Sequence, residues 1–203
     1  SPESPIFTKG KVLFGFDKSK KAINKANQAI VCEGQIDLIT AVEFGVKNIV
    51  APLGTAFGDA HARMLKQHAS EVVLCFDADN AGYTAAEKTY NLLSPLGMVV
   101  RVASLPKGED PDSLIRKQGV EHFQKLIDEA QDFLDFQINR KKASSGGDLR
   151  NQVMLAEQTA ATIAMNPSPA ARDLMIRAHS VQLSVTEDAM RRMVNGYVKR
   201  QQK

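Results

Sequence analysis

Apolar and polar positions follow two different periods along this chain, and the change from one to the other predicts most of its elements. Short unbroken apolar runs occur at Ala29-Ile30-Val31-Cys32, Ile49-Val50-Ala51, Val72-Val73-Leu74-Cys75-Phe76 and over 98–103. Runs of that length are too short for core helices and suit strands buried on both faces. Between them the apolar residues recur at helical spacing. This predicts a basic helix over 17–27, a helix over 36–44 closed by Gly45, one over 59–68, and one over 81–93 stopped by Ser94-Pro95. Strands alternating with helices of about ten residues predict βαβ units, hence an α/β fold with a parallel sheet and flanking helices. Residues 1–12, with two prolines, read as an irregular lead. After a tight acidic loop over 107–112, the segment 113–142 reads as helical throughout. Ser144-Ser145-Gly146-Gly147 is the one clear linker. Beyond it, three amphipathic helices broken at Asn166-Pro167 and near Ser184 predict a C-terminal helical bundle, with Leu155, Thr162 and Ile163, and Met190, Met193 and Tyr197, on its inner faces. The expected organisation is a lead and basic helix over 1–28, an α/β domain with trailing helices over 29–143, and a bundle over 144–203.

Acidic residues collect where the predicted strands end. The strand at 72–76 stops at Asp77-Ala78-Asp79, and in extended chain residues two apart point the same way, which pairs the two carboxylates. Glu33 ends the first strand, Asp37 follows one helical turn later, and Asp110 and Asp112 follow the fourth strand. The carboxyl ends of parallel strands open on one edge, where α/β sheets bind their ligands. Carboxylates crowded together repel unless one is protonated or a cation lies between them. A hard divalent cation held by few protein oxygens points to Mg²⁺, or Mn²⁺ in its place. Each acid taken alone has a plainer reading, with Asp77 capping the next helix and Asp79 solvated. Five acids at strand ends on one edge, with Asp37 near enough to join them, favour the metal. Gly34, Gly54 with Thr55, and Gly82 stand at helix starts where backbone amides can approach phosphates, although ordinary βα turns account for them equally well.

Composition narrows the classes further. With 203 residues, 43% apolar and 24% charged, the chain has ample material for a core. No apolar stretch approaches a membrane span, and the first residues lack the regions of a signal peptide, so a cytoplasmic setting without membrane contact is expected. Cys32 and Cys75 lie within predicted strands, and the four histidines are scattered, so no zinc site is readable. The net charge of +3 conceals a basic cluster of Lys9, Lys11, Lys18, Lys20, Lys21 and Lys25, with Asp17 the one acid among them. Lys18, Lys21 and Lys25 share a helical face. That is commonly just a solvated surface, and it would also suit a polyanionic partner.

Four motifs in register carry a resemblance. Glu33-Gly-Gln-Ile-Asp37, Ala51-Pro-Leu-Gly-Thr-Ala56, Phe76-Asp-Ala-Asp-Asn-Ala-Gly82 and Gly108-Glu-Asp-Pro-Asp-Ser-Leu114 resemble bacterial DNA primases in order and spacing. The lead Ser4-Pro-Ile-Phe-Thr-Lys9 with Leu13-Phe-Gly15 is similar to the segment that precedes the TOPRIM domain in that family. The resemblance covers residues 4–140 and extends more loosely into the tail. It implies a TOPRIM-type sheet in the catalytic core of a DNA-templated RNA polymerase that makes short RNA primers on single-stranded DNA from ribonucleoside triphosphates. Glu33, Asp77 and Asp79 match the family's core metal-binding acids, and Asp37, Asp110 and Asp112 its further acids. Lys9 matches a basic position for nucleotide phosphates or template, with Gly34 and Gly82 beside the phosphates. Ala78 stands where the family often has glycine, and Gln35 where an aromatic residue is common. The family's zinc-binding domain and its helicase-binding region are expected outside this chain, which reads as a fragment. Two other classes remain open: a nucleic-acid or helicase-binding module whose acids do no chemistry, and a TOPRIM nuclease or topoisomerase fragment. Topoisomerase chemistry needs a tyrosine nucleophile, and of Tyr83, Tyr90 and Tyr197 the first two fall within the helix after Asp79, which weakens that reading.

Overall fold

The computed structural model describes residues 8–144 and 148–201, which fall into two compact units, Ser1–Gln131 and Asp132–Lys203. In the first unit a 3-10 turn at Lys9–Lys11 leads into β1 (Leu13–Phe14), and α1 (Phe16–Ala26) follows. Then strands and helices alternate: β2 (Gln28–Cys32), α2 (Gln35–Glu43), β3 (Ile49–Pro52), α3 (Asp59–Lys66), β4 (Glu71–Cys75), α4 (Asn80–Leu93) and β5 (Val99–Val102). The helices α5 (Pro111–Gln118) and α6 (Val120–Asp128) follow, and a two-residue strand, β6 (Gln131–Asp132), carries the chain from this unit into the next.

The sheet runs β1-β3-β2-β4-β5-β6, with β3, β2, β4 and β5 parallel to one another and β1 antiparallel to β3. Its centre is the apolar runs of the sequence: Ala29 to Cys32 and Val72 to Cys75 are wholly buried, as strands covered on both faces must be. Register then fixes what lies beyond the strands. Cys32 stands opposite Cys75, so the next residues, Glu33 on one strand and Phe76-Asp77 on the other, leave the sheet side by side. Beneath them Ile30, Val73, Leu38, Leu114, Phe123 and Ile127 form one core.

The second unit holds α7 (Phe133–Ser144), α8 (Leu149–Ala164), α9 (Pro169–Gln182) and α10 (Glu187–Gln201). Leu134 and Ile138 of α7 are buried in one core with Leu155, Ile163, Ile176, Met190 and Val194, and Met193 and Tyr197 pack on its margin. Asn166 and Ser168 close the break between α8 and α9. The Asn166 Oδ1 accepts the Ser168 amide at 2.9 Å, and the Ser168 hydroxyl accepts the Ala171 amide at 3.3 Å.

Four expectations need correcting, and part of a fifth lies outside the described residues. The lead over 1–12 is not wholly irregular, because Lys9–Lys11 form a 3-10 turn, and just after it Leu13 and Phe14 pair with Pro52 and Ala51 as an edge strand that the pattern does not predict; residues 1–7 lie outside the described ones. The helical stretch 113–142 is three helices. Gly119, at φ 86°, breaks it once in a conformation that other residues avoid, and 129–132 breaks it again. The division between units falls ahead of α7 instead of at the glycine linker, because the apolar face of α7 is buried with the tail helices. Residues 145–147 of that linker are also outside the described ones. Finally, the cap of α4 is Asp79 and not Asp77.

Candidate metal centre

Glu33 follows β2 directly, and its Oε1 accepts the backbone amide of Asp77 at 3.3 Å, which ties the two strand ends together. Gly82 makes this approach feasible. A side chain there would overlap the Asp77 carbonyl oxygen and come within 3.0 Å of Glu33 Oε1, so the first turn of α4 can pass under the acids only as glycine. Gly34 does the same for α2, since a Cβ on it would sit 2.5 Å from Asp37 Oδ2.

The six acids marked in the sequence have different occupations. Asp79 caps α4, its Oδ1 accepting the Gly82 amide at 2.7 Å. Asp110 caps α5 in the same way, accepting the Ser113 amide at 2.7 Å while the Ser113 hydroxyl accepts the Asp110 amide at 3.1 Å. Asp37 is buried and takes two backbone amides, from Gly34 at 3.0 Å and Asp112 at 3.3 Å. Asp112 lends its amide to Asp37, but its carboxylate accepts from the Thr40 hydroxyl at 2.5 Å and from Arg116 at 2.7 Å. Asp77 differs from all of these: among the described residues no donor reaches its carboxylate.

Proton affinities follow these occupations. Partial burial, and then the neighbouring Asp77, hold Glu33 above the ordinary glutamate range. Asp77 is raised by burial and by the charges of Asp110 and Asp79. Asp37 is raised by burial, against the two amides that favour its charge. Asp112 moves the other way, lowered by the Thr40 hydroxyl and Arg116. Glu33, Asp37, Asp77, Asp79 and Asp110 thus form one repelling group, while the Asp112 charge is already balanced.

The fit to a cation can be judged from this donor set. Among the described residues no three His, Cys, Asp or Glu side chains close into a ready-made cage. A soft-metal site is not formed either, since Cys32 and Cys75 are buried in the sheet with their thiols pushed well up by burial. What remains is an open edge of hard oxygens led by Glu33 and the unpartnered Asp77. That suits an octahedral ion which keeps most of its water and takes one or two carboxylates. A cleft of about 420 Å³ opens beside Glu33, walled by Thr55, Phe57, Phe76, Thr84 and Lys88. Thr55 belongs to the turn after β3 that the sequence marks, whereas nothing in the spacing of Phe57, Thr84 and Lys88 distinguishes them there. Lys9 lies half-buried on the 3-10 turn before β1.

Comparison with known proteins bears on the family and the fold. A Toprim-like family profile matches residues 30–115, the segment that holds all six acids. The DNA primase of Halalkalibacterium halodurans is 38% identical over 195 residues, covering 94% of this chain and 32% of that protein. The DNA primase of Clostridium acetobutylicum is 33% identical over 190 residues, again 94% of this chain and 32% of the other. The chain therefore spans about a third of the length of the curated relatives it matches. Among solved structures, the Aquifex aeolicus primase with zinc-binding and RNA polymerase domains superposes with a TM-score of 0.80 at 29% identity, over 94% of this chain and 45% of that one. A DnaG primase catalytic domain bound to single-stranded DNA gives 0.82 at 28% identity, over 93% and 61%. With sequence and fold both matched along nearly its whole length, the chain belongs to the bacterial DNA primase family, as the TOPRIM-containing segment of the catalytic core.

Proposed function

We propose that this chain supplies the metal-binding half of a DNA-templated RNA polymerase that makes short RNA primers on single-stranded DNA. The observation that carries the reading is the pairing of Glu33 with Asp77 across β2 and β4, two acids of raised proton affinity with the Asp77 carboxylate left open. Glu33, Asp77 and Asp79 would hold Mg²⁺ or Mn²⁺, with Asp37 and Asp110 adding negative charge behind them. Asp112 could join only by leaving Arg116 and Thr40, so its present part is to hold α5 against α2. When bound, the divalent ion neutralises charge on the oxygens exchanged in nucleotidyl transfer.

The remaining tasks belong to the chain. Glu33 and Asp77 orient the site through the amide link between them, and Gly82 keeps the backbone low enough for phosphate oxygens to approach the start of α4. The cleft beside Glu33 has the volume a nucleotide moiety requires, with Thr55 and Lys88 as polar contacts. Lys9 is assigned to nucleotide phosphates or template. Ribonucleoside triphosphates and single-stranded DNA are then the substrates, and a replicative helicase would be engaged through regions of the longer protein.

The test is Glu33→Gln in the full-length protein, given labelled ribonucleotides, single-stranded DNA and Mg²⁺. Primer synthesis should fall by at least about 100-fold, the scale of losing one electrostatic group at a reacting centre. Near-normal synthesis would move the chemistry away from this carboxylate, and cleavage of the DNA in place of extension would favour a nuclease.

A further inference from the structure

The second large cavity of the first unit shares no residue with the acidic edge. It is a groove of about 950 Å³ between α1 and α2, beside the sheet edge formed by β1. Leu13, Phe14, Leu38, Ile39 and Val42 make its floor. The groove exists because β1 is only two residues long. It pairs with the carboxyl half of β3, and α1 covers the rest of that edge, with the buried Ser19 hydroxyl donating to the Ile49 carbonyl at 2.8 Å.

One wall of the groove carries more apolar surface than its own unit uses. The inner side of α2, with Leu38 and Ala41, is buried in the core. Its outer side is also apolar: Ile36, Ile39 and Val42 are 62%, 41% and 41% exposed, and Phe44 just beyond the helix is 46% exposed. A helix apolar on both sides is normally covered on both, and a concentrated patch of this kind marks an interaction surface.

The rim specifies the chemistry of the partner. Lys18, Lys21 and Lys25 follow one another along α1, and Lys47 stands on the opposite wall, with Asp17 and Glu43 the only acids lining the groove among the described residues. All four lysines are exposed, and none joins a salt bridge among the described residues. The three on α1 span about 10 Å, roughly two helical turns. Apart from the half-buried Phe14 the floor is aliphatic, which suits helical side chains better than bases, since those need several exposed aromatic faces to stack on.

We propose that this groove docks an acidic amphipathic helix of a partner protein, whose apolar stripe lies on Ile39 and Val42 while its carboxylates meet Lys18, Lys21 and Lys25. The probe is a fluorescein-labelled synthetic helix of about 16 residues, with leucines at i, i+4 and i+7 and glutamates flanking them, titrated with this chain by anisotropy. Saturable binding in the micromolar range is expected, weakened at least about tenfold when the glutamates are replaced by lysines or when salt is raised. The double variant Ile39→Ser/Val42→Ser should lose binding about tenfold or more, and both positions are solvent-facing, so the core is spared. As a second handle, Lys21→Glu/Lys25→Glu should reverse the preference toward the lysine-bearing peptide. No saturable binding, or binding indifferent to peptide charge and to both variants, overturns the proposal. So does a groove that the same variants show to be filled by oligo(dT), or by a second copy of the chain in sedimentation.

Discussion

Neutralising Glu33 should make the metal-free protein more stable, although the same change should disable it. The carboxylate lies half-buried beside Asp77 and feels Asp79 and Asp37 as well. Two like charges a few ångströms apart repel by about 1 kcal/mol in water-like surroundings and about 3–4 kcal/mol at an effective dielectric of 20. Water still reaches much of Glu33, so the lower figure applies, and screening trims it further. The glutamine amide would keep an oxygen for the Asp77 N–H, so the net gain from Glu33→Gln is about 0.5–1 kcal/mol, or roughly 1–4 °C in melting temperature for a unit of this size. The sign with pH follows from the raised affinities of Glu33 and Asp77. The folded state holds these protons more tightly than the unfolded chain. Stability therefore falls as pH rises from the ordinary carboxylate range through the raised values, and above them the whole penalty is present. The advantage of the variant should accordingly be largest above the raised values and fade as pH falls toward the ordinary carboxylate range, where both forms approach neutrality at this position. Saturating Mn²⁺ should invert the order. The parent gains about 2.7 kcal/mol at a metal concentration 100 times its dissociation constant, whereas the variant gains little. Melts followed by circular dichroism, in chelator and in Mn²⁺, read all of this. A natively folded variant that melts below the parent in chelator at pH 7, or that gains as much from Mn²⁺, would refute the electrostatic account of the site.

Three further outcomes are expected. Gly82→Ala should destabilise the first unit by about 1–3 kcal/mol, since the new methyl overlaps the Asp77 carbonyl, whereas Gly10→Ala, which meets nothing within 4 Å, should change the melt far less. Lys9→Glu in the full-length protein should weaken single-stranded DNA binding and flatten its salt dependence by about one unit for each phosphate no longer neutralised, and an unchanged slope with unchanged affinity would remove Lys9 from the substrate path. A chain ending after Gln131 should keep its Mn²⁺ response, while one ending after Lys142 should be less soluble, because it carries Phe133, Leu134 and Ile138 without the core that buries them; if both truncated chains lose the response, the tail contributes to the site.

Much of this was legible because parallel strands announce themselves. Val31 and Leu74 lie in unbroken apolar runs, and a run that ends in an acid marks both a strand and its carboxyl edge. The pairing of Glu33 with Asp77 follows from that edge alone, without any knowledge of side-chain positions. The helix breaks were less legible. A glycine inside a helical pattern, such as Gly119, costs about 1 kcal/mol and is often tolerated, so the pattern does not say which glycine will turn the chain. The unit boundary misled for a different reason. Gly146-Gly147 marks where the chain can bend, but which core α7 joins depends on partners distant in sequence, such as Ile163 and Met190.

The division of labour among the acids was the least legible part, although its signals were present. Asp112 and Arg116 stand four apart on one helix, a spacing that invites an ion pair. Asp79 precedes Gly82 by three, the reach of a capping carboxylate to a first-turn amide. Both signals lie in the sequence itself. What does not is where α4 begins, because Asp77 and Asp79 are equally good caps and a shift of two residues exchanges their roles. Gly82 decides it. With the helix starting at Asn80, the residue with no side chain meets the Asp77 carbonyl, where a Cβ would overlap the oxygen. Asp79 then gives one carboxylate oxygen to the cap, and Asp77, whose amide donates to Glu33, keeps both of its own free. With the helix starting there, Asp79 has one oxygen left for a cation and Asp77 has both, and that difference is why the pair is not interchangeable.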